Sequence, residues 1–278
     1  MIPISQKVGI CYICATPIGN LADISKRLEQ TLHEVDIIAA EDTRKTTILL
    51  THLNIKKKLI SLEKHNEATR FKQMFQILQN GLNIALVTDA GTPSISDPGS
   101  YTVSKLIKNG VVVSPIPGPS AVSCLASVAG IPADNYIFGG FFPRKEMQAI
   151  EMLKKMTPLS MPIIFFESPK RIKQTLECIN DNFKGAYCIV GKELTKIYET
   201  IFYGSPEEIL ATFTDDMLKG EWCFMVSLPK EKTAYNPDFL NQACELGLSQ
   251  SQIGSLVKTL GWNKKDVYNY VINYKKDH

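Results

Sequence analysis

Only four histidines occur in the 278 residues, at positions 33, 52, 65 and 278. With no G-x-S-x-G turn, they give little support to a serine-hydrolase triad. Neither G-x-x-x-x-G-K-[ST] nor a G-x-G-x-x-G following a strand is present, which argues against kinase, ATPase and dehydrogenase chemistry. No apolar run reaches membrane-spanning length, and the first residues lack the charged-then-apolar pattern of a secretion signal. The expectation is a soluble, cytoplasmic protein. Charge of one sign is scarce as well. A net charge of +3 from 31 basic and 28 acidic residues does not by itself mark a nucleic-acid binder. Seven scattered cysteines, an odd number, do not suggest a disulfide framework. The lone Cys11-x-x-Cys14 lacks a second pair or a histidine cluster to complete a zinc site, and it lies in an apolar run. Buried, reduced thiols are expected.

The chain is 44% hydrophobic and 21% charged, an ordinary globular balance with enough length for two domains. It is organised around residues 83–99. There a short, branched apolar run from Ile84 to Val87 reads as a buried parallel strand. The loop after it is broken by Gly91, Pro93, Pro98 and Gly99, with Asp89 and Asp97 framing small residues. Around it, residues 9–15, 35–40, 59–62 and 111–116 read as further strands. Helical patterns fall between them, the first capped by Asp23. This order predicts a parallel α/β domain over residues 1–117. Strands near 136–141, 162–166, 187–190, 199–203 and 222–227, some without helices between them, predict a mixed-sheet α/β domain over 118–229. A polar linker from Pro229 to Pro237 leads to a helical appendix, with helix-turn-helix-like layout, within 230–278.

If the first sheet is parallel, the loops 16–20, 41–44, 89–99 and 117–121 share one edge, where open α/β sheets bind ligands. Small residues there allow close backbone approach. Few fixed positive charges lie in the loops at Asp89 and Pro117, which favours a neutral or cationic ligand over a polyphosphate.

Nine segments in order carry a resemblance. They are Thr16-Pro17-Ile18-Gly19-Asn20-Leu21, Ala40-Glu41-Asp42-Thr43-Arg44, His65-Asn66-Glu67, Thr88-Asp89-Ala90-Gly91-Thr92-Pro93, Ser96-Asp97-Pro98-Gly99, Pro117-Gly118-Pro119-Ser120-Ala121, Glu167-Ser168-Pro169-Lys170-Arg171, Glu193-Leu194-Thr195-Lys196 and Lys219-Gly220-Glu221. Over residues 9 to 228 the chain resembles the tetrapyrrole-methylase superfamily, and within it the branch acting on small-subunit ribosomal RNA. The resemblance implies two α/β domains with S-adenosylmethionine in the cleft between them, usually in a homodimer. It also implies 2′-O-methylation of a cytidine ribose near the decoding centre. Carried onto this sequence, it implies a donor site of Pro17, Asp89, Ala90, Gly91, Thr92, Pro93, Ile95, Ser96, Asp97, Ser120 and Ala121, joined by Phe142, Thr195 and Gly220. One departure stands out. After Gly140-Phe141-Phe142-Pro143 the branch carries a strongly basic stretch, diluted here to Arg144-Lys145-Glu146-Met147-Gln148.

Methyl transfer from a sulfonium needs alignment and removal of a hydroxyl proton. A carboxylate held against sulfur would stabilise the ground state, so small residues are expected there. Asp89, Glu41 and His65 are the candidate bases, and Asp89 is expected to support both donor binding and catalysis. Arg44, Lys45, Arg144, Lys145, Lys170, Arg171, Lys264 and Lys265 are candidate RNA contacts. Each read alone is a solvated face; together around one cleft they could neutralise phosphates. Two alternatives stay open: methylation of a corrin or porphyrin ring carbon, and a non-catalytic RNA-binding protein.

Overall fold

The structure, a computed structural model, describes residues 8–214, 217–229, 236–260 and 262–277, with only the backbone of 275–277. In the first half, strands and helices alternate: β1 (Cys11–Cys14), α1 (Lys26–Glu34), β2 (Ile37–Ala40), α2 (Thr43–His52), β3 (Lys58–Ser61), α3 (Glu67–Gln79), β4 (Ile84–Val87), α4 (Ser100–Lys108) and β5 (Val113–Ile116). The sheet order is β3-β2-β4-β1-β5, parallel throughout. Helix-bearing crossovers impose that direction. β2 and β4 are buried along their whole length, which explains why they read as unbroken apolar runs. Leu28 and Leu32 of α1 and Leu49 and Leu50 of α2 cover one face of the sheet. Met74 and Leu78 of α3 and Leu106 of α4 cover the other. The connections leaving the neighbouring strands β1 and β4 therefore diverge to opposite faces. Their carboxyl ends form a topological switch point.

One boundary differs from expectation. Helix α1 is capped by Ser25, whose hydroxyl accepts from Leu28 N–H at 3.0 Å. Asp23 instead closes a short 3-10 turn over Leu21–Asp23, which Asn20 caps. Cys11 and Cys14 lie in β1 three residues apart, so they point into opposite core layers. Burial pushes both thiols up to about 12. They cannot act as a redox pair.

The second half contains α5 (Ala121–Ser127), β6 (Ile137–Phe141), α6 (Glu146–Met156), β7 (Ile163–Glu167), α7 (Ile172–Asn182), β8 (Tyr187–Lys192), β9 (Thr200–Gly204), α8 (Pro206–Ala211) and β10 (Trp222–Ser227). Its sheet order is β6-β7-β10-β8-β9, with β6 and β7 parallel and the other pairs antiparallel. Phe165 and Phe224 anchor one face beneath α6 and α7. On the other face, Val122 and Leu125 of α5 pack with Ile164, Ile189 and Met225, and Ile18 from the first half joins them. This apolar seam joins the two halves, and the functional loops open beside it.

Helices α9 (Pro237–Glu245), α10 (Gln250–Thr259) and α11 (Lys264–Asp277) form the appendix around their own core of Leu240, Ile253, Val257, Val267 and Val271. A capping box between Ser249 and Gln252 starts α10. Most of the expected linker, residues 230–235, lies outside the described residues.

Candidate active site

The loop after β4 is held open by its backbone. Gly91, Ser94, Ser96 and Gly99 all take positive φ, at 77°, 70°, 70° and 125°. For the two serines this left-handed conformation is a local strain that the surroundings must hold in place. They do so through a two-way bridge to the loop after β1. Thr16 N–H donates to Gly91 O at 2.9 Å, and Gly91 N–H donates to Thr16 O at 3.1 Å. The Thr16 hydroxyl donates to Thr88 O at 3.1 Å. A Cβ on Gly99 would come within 2.9 Å of the Ser94 hydroxyl, so the loop can close only on glycine there.

Between this loop and the second sheet lies a cleft of about 340 Å³, within the usual range for small-molecule sites. From the first half it is lined by Ile18 and by Ala90, Gly91, Thr92, Ile95, Ser96 and Asp97. Ser120 and Ala121 at the start of α5 line it too, and the Ser120 hydroxyl makes no capping bond. The opposite wall holds Phe141, Phe166, Glu167, Ser168, Leu194 and Gly220, with Trp222 and Cys223. The surface is mostly apolar, with a few hydroxyls and carboxylates, which suits an amphiphile with an aromatic ring and a polar chain.

The predicted donor residues divide accordingly. Ala90 to Thr92, Ile95 to Asp97, Ser120, Ala121 and Gly220 converge on the cleft. Pro17 and Asp89 line a neighbouring groove instead, with Lys45 and Lys196. Pro93 is buried, and neither it nor Thr195 lines the cleft. Thr195 contributes its backbone N–H to Glu199 at 2.6 Å. Phe142 requires a correction. It is 3% exposed and packs edge-on against Phe165 and Phe224, on the far side of the sheet. Ile137 and Gly139 face the Phe165 layer, so plain alternation would put Phe141 there too; the register shift between Phe138 and Phe141, with Gly140 at φ 71°, turns Phe141, 61% exposed, into the cleft instead. The one signal for it in the sequence is the Gly139-Gly140 pair, where a bulge can form. Glu167 and Ser168 belonged to a recognised motif without having been assigned to the site.

The ionisable groups are sorted by their partners. The Asp89 carboxylate accepts from Asp42 N–H at 3.1 Å and from Lys45 Nζ at 2.7 Å. Glu41 accepts from Asp89 N–H at 3.4 Å. Burial is the main cause that raises the Glu41 carboxyl above its usual range. Asp42 is held well below its usual range by hydrogen bonds from Arg44. His65 is 76% exposed in its side chain and lies 3.5 Å from Glu63 in an open basin beside the cleft. Asp97 lines the cleft itself, and its carboxyl is pushed up to about 6 by burial and by the charges of Glu41 and Asp89.

The basic candidates also separate. Arg44, Lys45, Arg144, Lys145, Lys170, Lys264 and Lys265 are exposed, although Arg44 and Lys45 already pair with Asp42 and Asp89. Arg171 requires the second correction. It is only 26% exposed in its side chain and lies 3.3 Å from the buried Glu167 carboxylate. Its remaining N–H groups donate to Phe142 O at 3.4 Å and Pro143 O at 2.8 Å. That guanidinium is consumed inside the fold, where it fixes the turn bearing Phe141.

Lys196 crosses the mouth of the neighbouring groove, with Nζ at 2.8 Å from Glu193 and 3.1 Å from Glu221. A Cβ on Gly19 would strike the Lys196 stem at 2.3 Å, so only glycine admits that lysine across the seam.

The model of the tetrapyrrole (corrin/porphyrin) methylases matches residues 11–210. A Halalkalibacterium halodurans protein named ribosomal RNA small subunit methyltransferase I is 38% identical over 94% of both chains. A Vibrio cholerae protein of the same name is 44% identical over 78% of this chain and 76% of its own. Among solved structures, a diphthine synthase superposes with a TM-score of 0.62 at 14% identity, covering 81% of this chain and 91% of its own. A cobalt precorrin-4 methyltransferase does so with 0.58 at 18%, over 81% and 97%. At those identities the structural likeness establishes the fold.

Proposed function

The chain belongs to the tetrapyrrole (corrin/porphyrin) methylase family, and from that premise we propose that it transfers a methyl group from S-adenosylmethionine to small-subunit ribosomal RNA. The acceptor is the 2′-hydroxyl of a cytidine ribose near the decoding centre. The observation that carries this reading is the similarity along nearly the whole chain to relatives named for that RNA, combined with a cleft at the switch point built from small residues.

The residues fit the donor. Phe141, Phe166, Ile18 and Leu194 offer apolar surface for an adenine, while Ser96, Ser120 and Ser168 offer hydroxyls for ribose and amino-acid groups. When bound, S-adenosylmethionine supplies an electrophilic methyl on a positively charged sulfur. Ala90 and Gly91 offer a stretch of wall without a carboxylate, and a sulfur seated against it would not have the charge that fades in the transition state over-stabilised beforehand. The strained Ser94–Ser96 backbone, tied to Thr16 through Gly91, fixes the loop before the donor arrives. Asp89, bonded to Asp42 N–H and Lys45, buttresses that loop from the neighbouring groove.

Exposed Arg144, Lys145, Lys170, Lys264 and Lys265 supply phosphate contacts, making RNA affinity salt-dependent. The exposed apolar pair Ile197 and Tyr198, 90% and 74% accessible beside the Lys196 clasp, provides a surface for a homodimer. Seven free cysteines, most of them buried, fit a reducing cytoplasm, where the ribosomal subunits are. None of the described helices is long and apolar enough to cross a membrane.

The test is calorimetry for donor binding, followed by transfer of labelled methyl to purified small subunits and, separately, to a tetrapyrrole precursor. Label appearing in RNA as a 2′-O-methylcytidine supports the proposal. Label in the tetrapyrrole alone, or no donor binding, rejects it.

A further inference from the structure

The carboxylates of Asp89, Glu41 and Asp97 lie in the cleft or in the hollows beside it, and two of them already accept hydrogen bonds. Asp89 is bound by Asp42 N–H and by Lys45. Glu41 leans on Asp89 N–H in the adjoining basin. Asp97 is different in both respects. It lines the cleft, and no hydrogen bond or ion pair from a described residue holds its carboxylate. Its neighbour Pro98 lines the basin, of about 650 Å³, together with Glu41, Arg44, Lys64 and His65. Asp97 therefore stands at the junction between the place that fits the donor and an open hollow lined by charges of both signs, Arg44 and Lys64 with Glu41, Asp42 and Glu63.

Resting on the methyl-transfer reading above, we infer that Asp97 is the general base of the reaction and that the acceptor nucleotide enters through the Arg44–Lys64 basin. The hydroxyl proton moves to an Asp97 carboxylate oxygen, and from there to water. Meanwhile the acceptor oxygen forms its bond to the methyl carbon. The carbon–sulfur bond breaks with its electron pair left on sulfur, so charge and atoms balance without a metal or a further reactant. Lys64, whose Nζ lies 3.3 Å from Ser96 O, would supply the contact to a flanking phosphate, since the Arg44 guanidinium is already paired with Asp42.

The surroundings give this carboxylate the required character. Half-burial, Glu41 and Asp89 raise its proton affinity, and Lys64 opposes them, bringing it to about 6. It is thus a stronger base than an ordinary aspartate while remaining ionised at neutral pH. Across the cleft, Glu167 is tied to Arg171 and Thr175, and Glu221 lies exposed beside Lys196, so neither is free to take the same role.

The test compares wild type, Asp97→Asn and Asp97→Glu in single-turnover methylation of purified small subunits at saturating S-adenosylmethionine, with donor affinity measured by calorimetry. Asp97→Asn should bind donor within about threefold of wild type and methylate about 100-fold more slowly or worse, the usual effect of losing a positioned base. Asp97→Glu, which keeps a carboxylate, should recover part of the rate. The wild-type rate should climb about tenfold per pH unit below about 6 and level off above it, and the Asn variant should lose that dependence. An Asn variant working within about threefold of wild type, with the same pH profile, overturns the assignment. So does a rate loss fully matched by lost donor affinity, since Asp97 would then be a donor ligand. Wild type that binds donor yet leaves ribosomal RNA unmethylated defeats the functional reading instead, and that result is visible without any variant.

Discussion

Replacing Arg171 by alanine separates a structural role from an RNA-binding one. The Glu167 side chain is 1% exposed and accepts from Thr175 Oγ1 and from Ser168 N–H, each at 2.7 Å, while Arg171 supplies the balancing charge at 3.3 Å. Removing the guanidinium leaves a buried carboxylate uncompensated and two carbonyls, those of Phe142 and Pro143, without their donors. Breaking a buried pair typically costs 3–5 kcal/mol; with Arg171 still a quarter exposed, about 3 kcal/mol is expected. For a chain of this size that corresponds to a melting temperature lower by about 6–12 °C. Arg171→Lys should recover only part of it, because an ammonium cannot span the carboxylate and two carbonyls at once. Differential scanning calorimetry reads the loss, and RNA affinity measured well below the melting point, across a salt series, reads the alternative. A variant that melts like wild type but binds RNA more weakly with a shallower salt slope would refute the reasoning and return Arg171 to the RNA surface.

Three further outcomes follow from the same geometry. Asp97→Asn should stabilise the protein at pH 8 by about 1–2 kcal/mol, after discounting for partial exposure, because ionising a carboxyl raised from 3.8 to about 6 is a cost of the folded state. The sign follows from linkage. Asp97 favours folding most fully below pH 3.8, where it is protonated in both states, and that advantage is lost as pH rises through about 6, so the variant's gain should vanish near pH 3 in urea titrations. Gly139→Ala should cost about 1–3 kcal/mol by overpacking, since its Cβ would meet the Phe165 ring at 2.1 Å. Deleting the residues after Pro229 should leave donor affinity unchanged, because the appendix has its own core, while weakening RNA binding in filter assays at moderate salt.

Much of the fold could be read from periodicity because its physics is local. Buried parallel strands such as Ile84–Val87 appear as short apolar runs, and helices such as Glu146–Met156 as amphipathic repeats. Loops leaving parallel strands must share an edge, so the convergence of Ala90–Thr92 with Ser120 and Ala121 followed from direction alone. What escaped was orientation and pairing. Phe141 and Phe142 are identical residues in one segment, and only the register shift between Phe138 and Phe141 decides which meets the cleft. Arg171 reads as an exposed cation until its long-range bonds to Phe142 and Pro143 are known. Asp89 and Asp97 are likewise equal in sequence. They differ because Lys45, 44 residues away, engages one of them and no described residue engages the other.

The most direct test of the account is the chemical identity of the product. Purified small subunits lacking the modification are incubated with the protein and isotopically labelled S-adenosylmethionine, and the RNA is digested to nucleosides for mass spectrometry. The expected result is labelled 2′-O-methylcytidine at one site, dependent on the cleft and abolished by filling it with Ala121→Phe. Label on a base would contradict methyl transfer to the ribose, and equal labelling after Ala121→Phe would contradict its placement in this cleft.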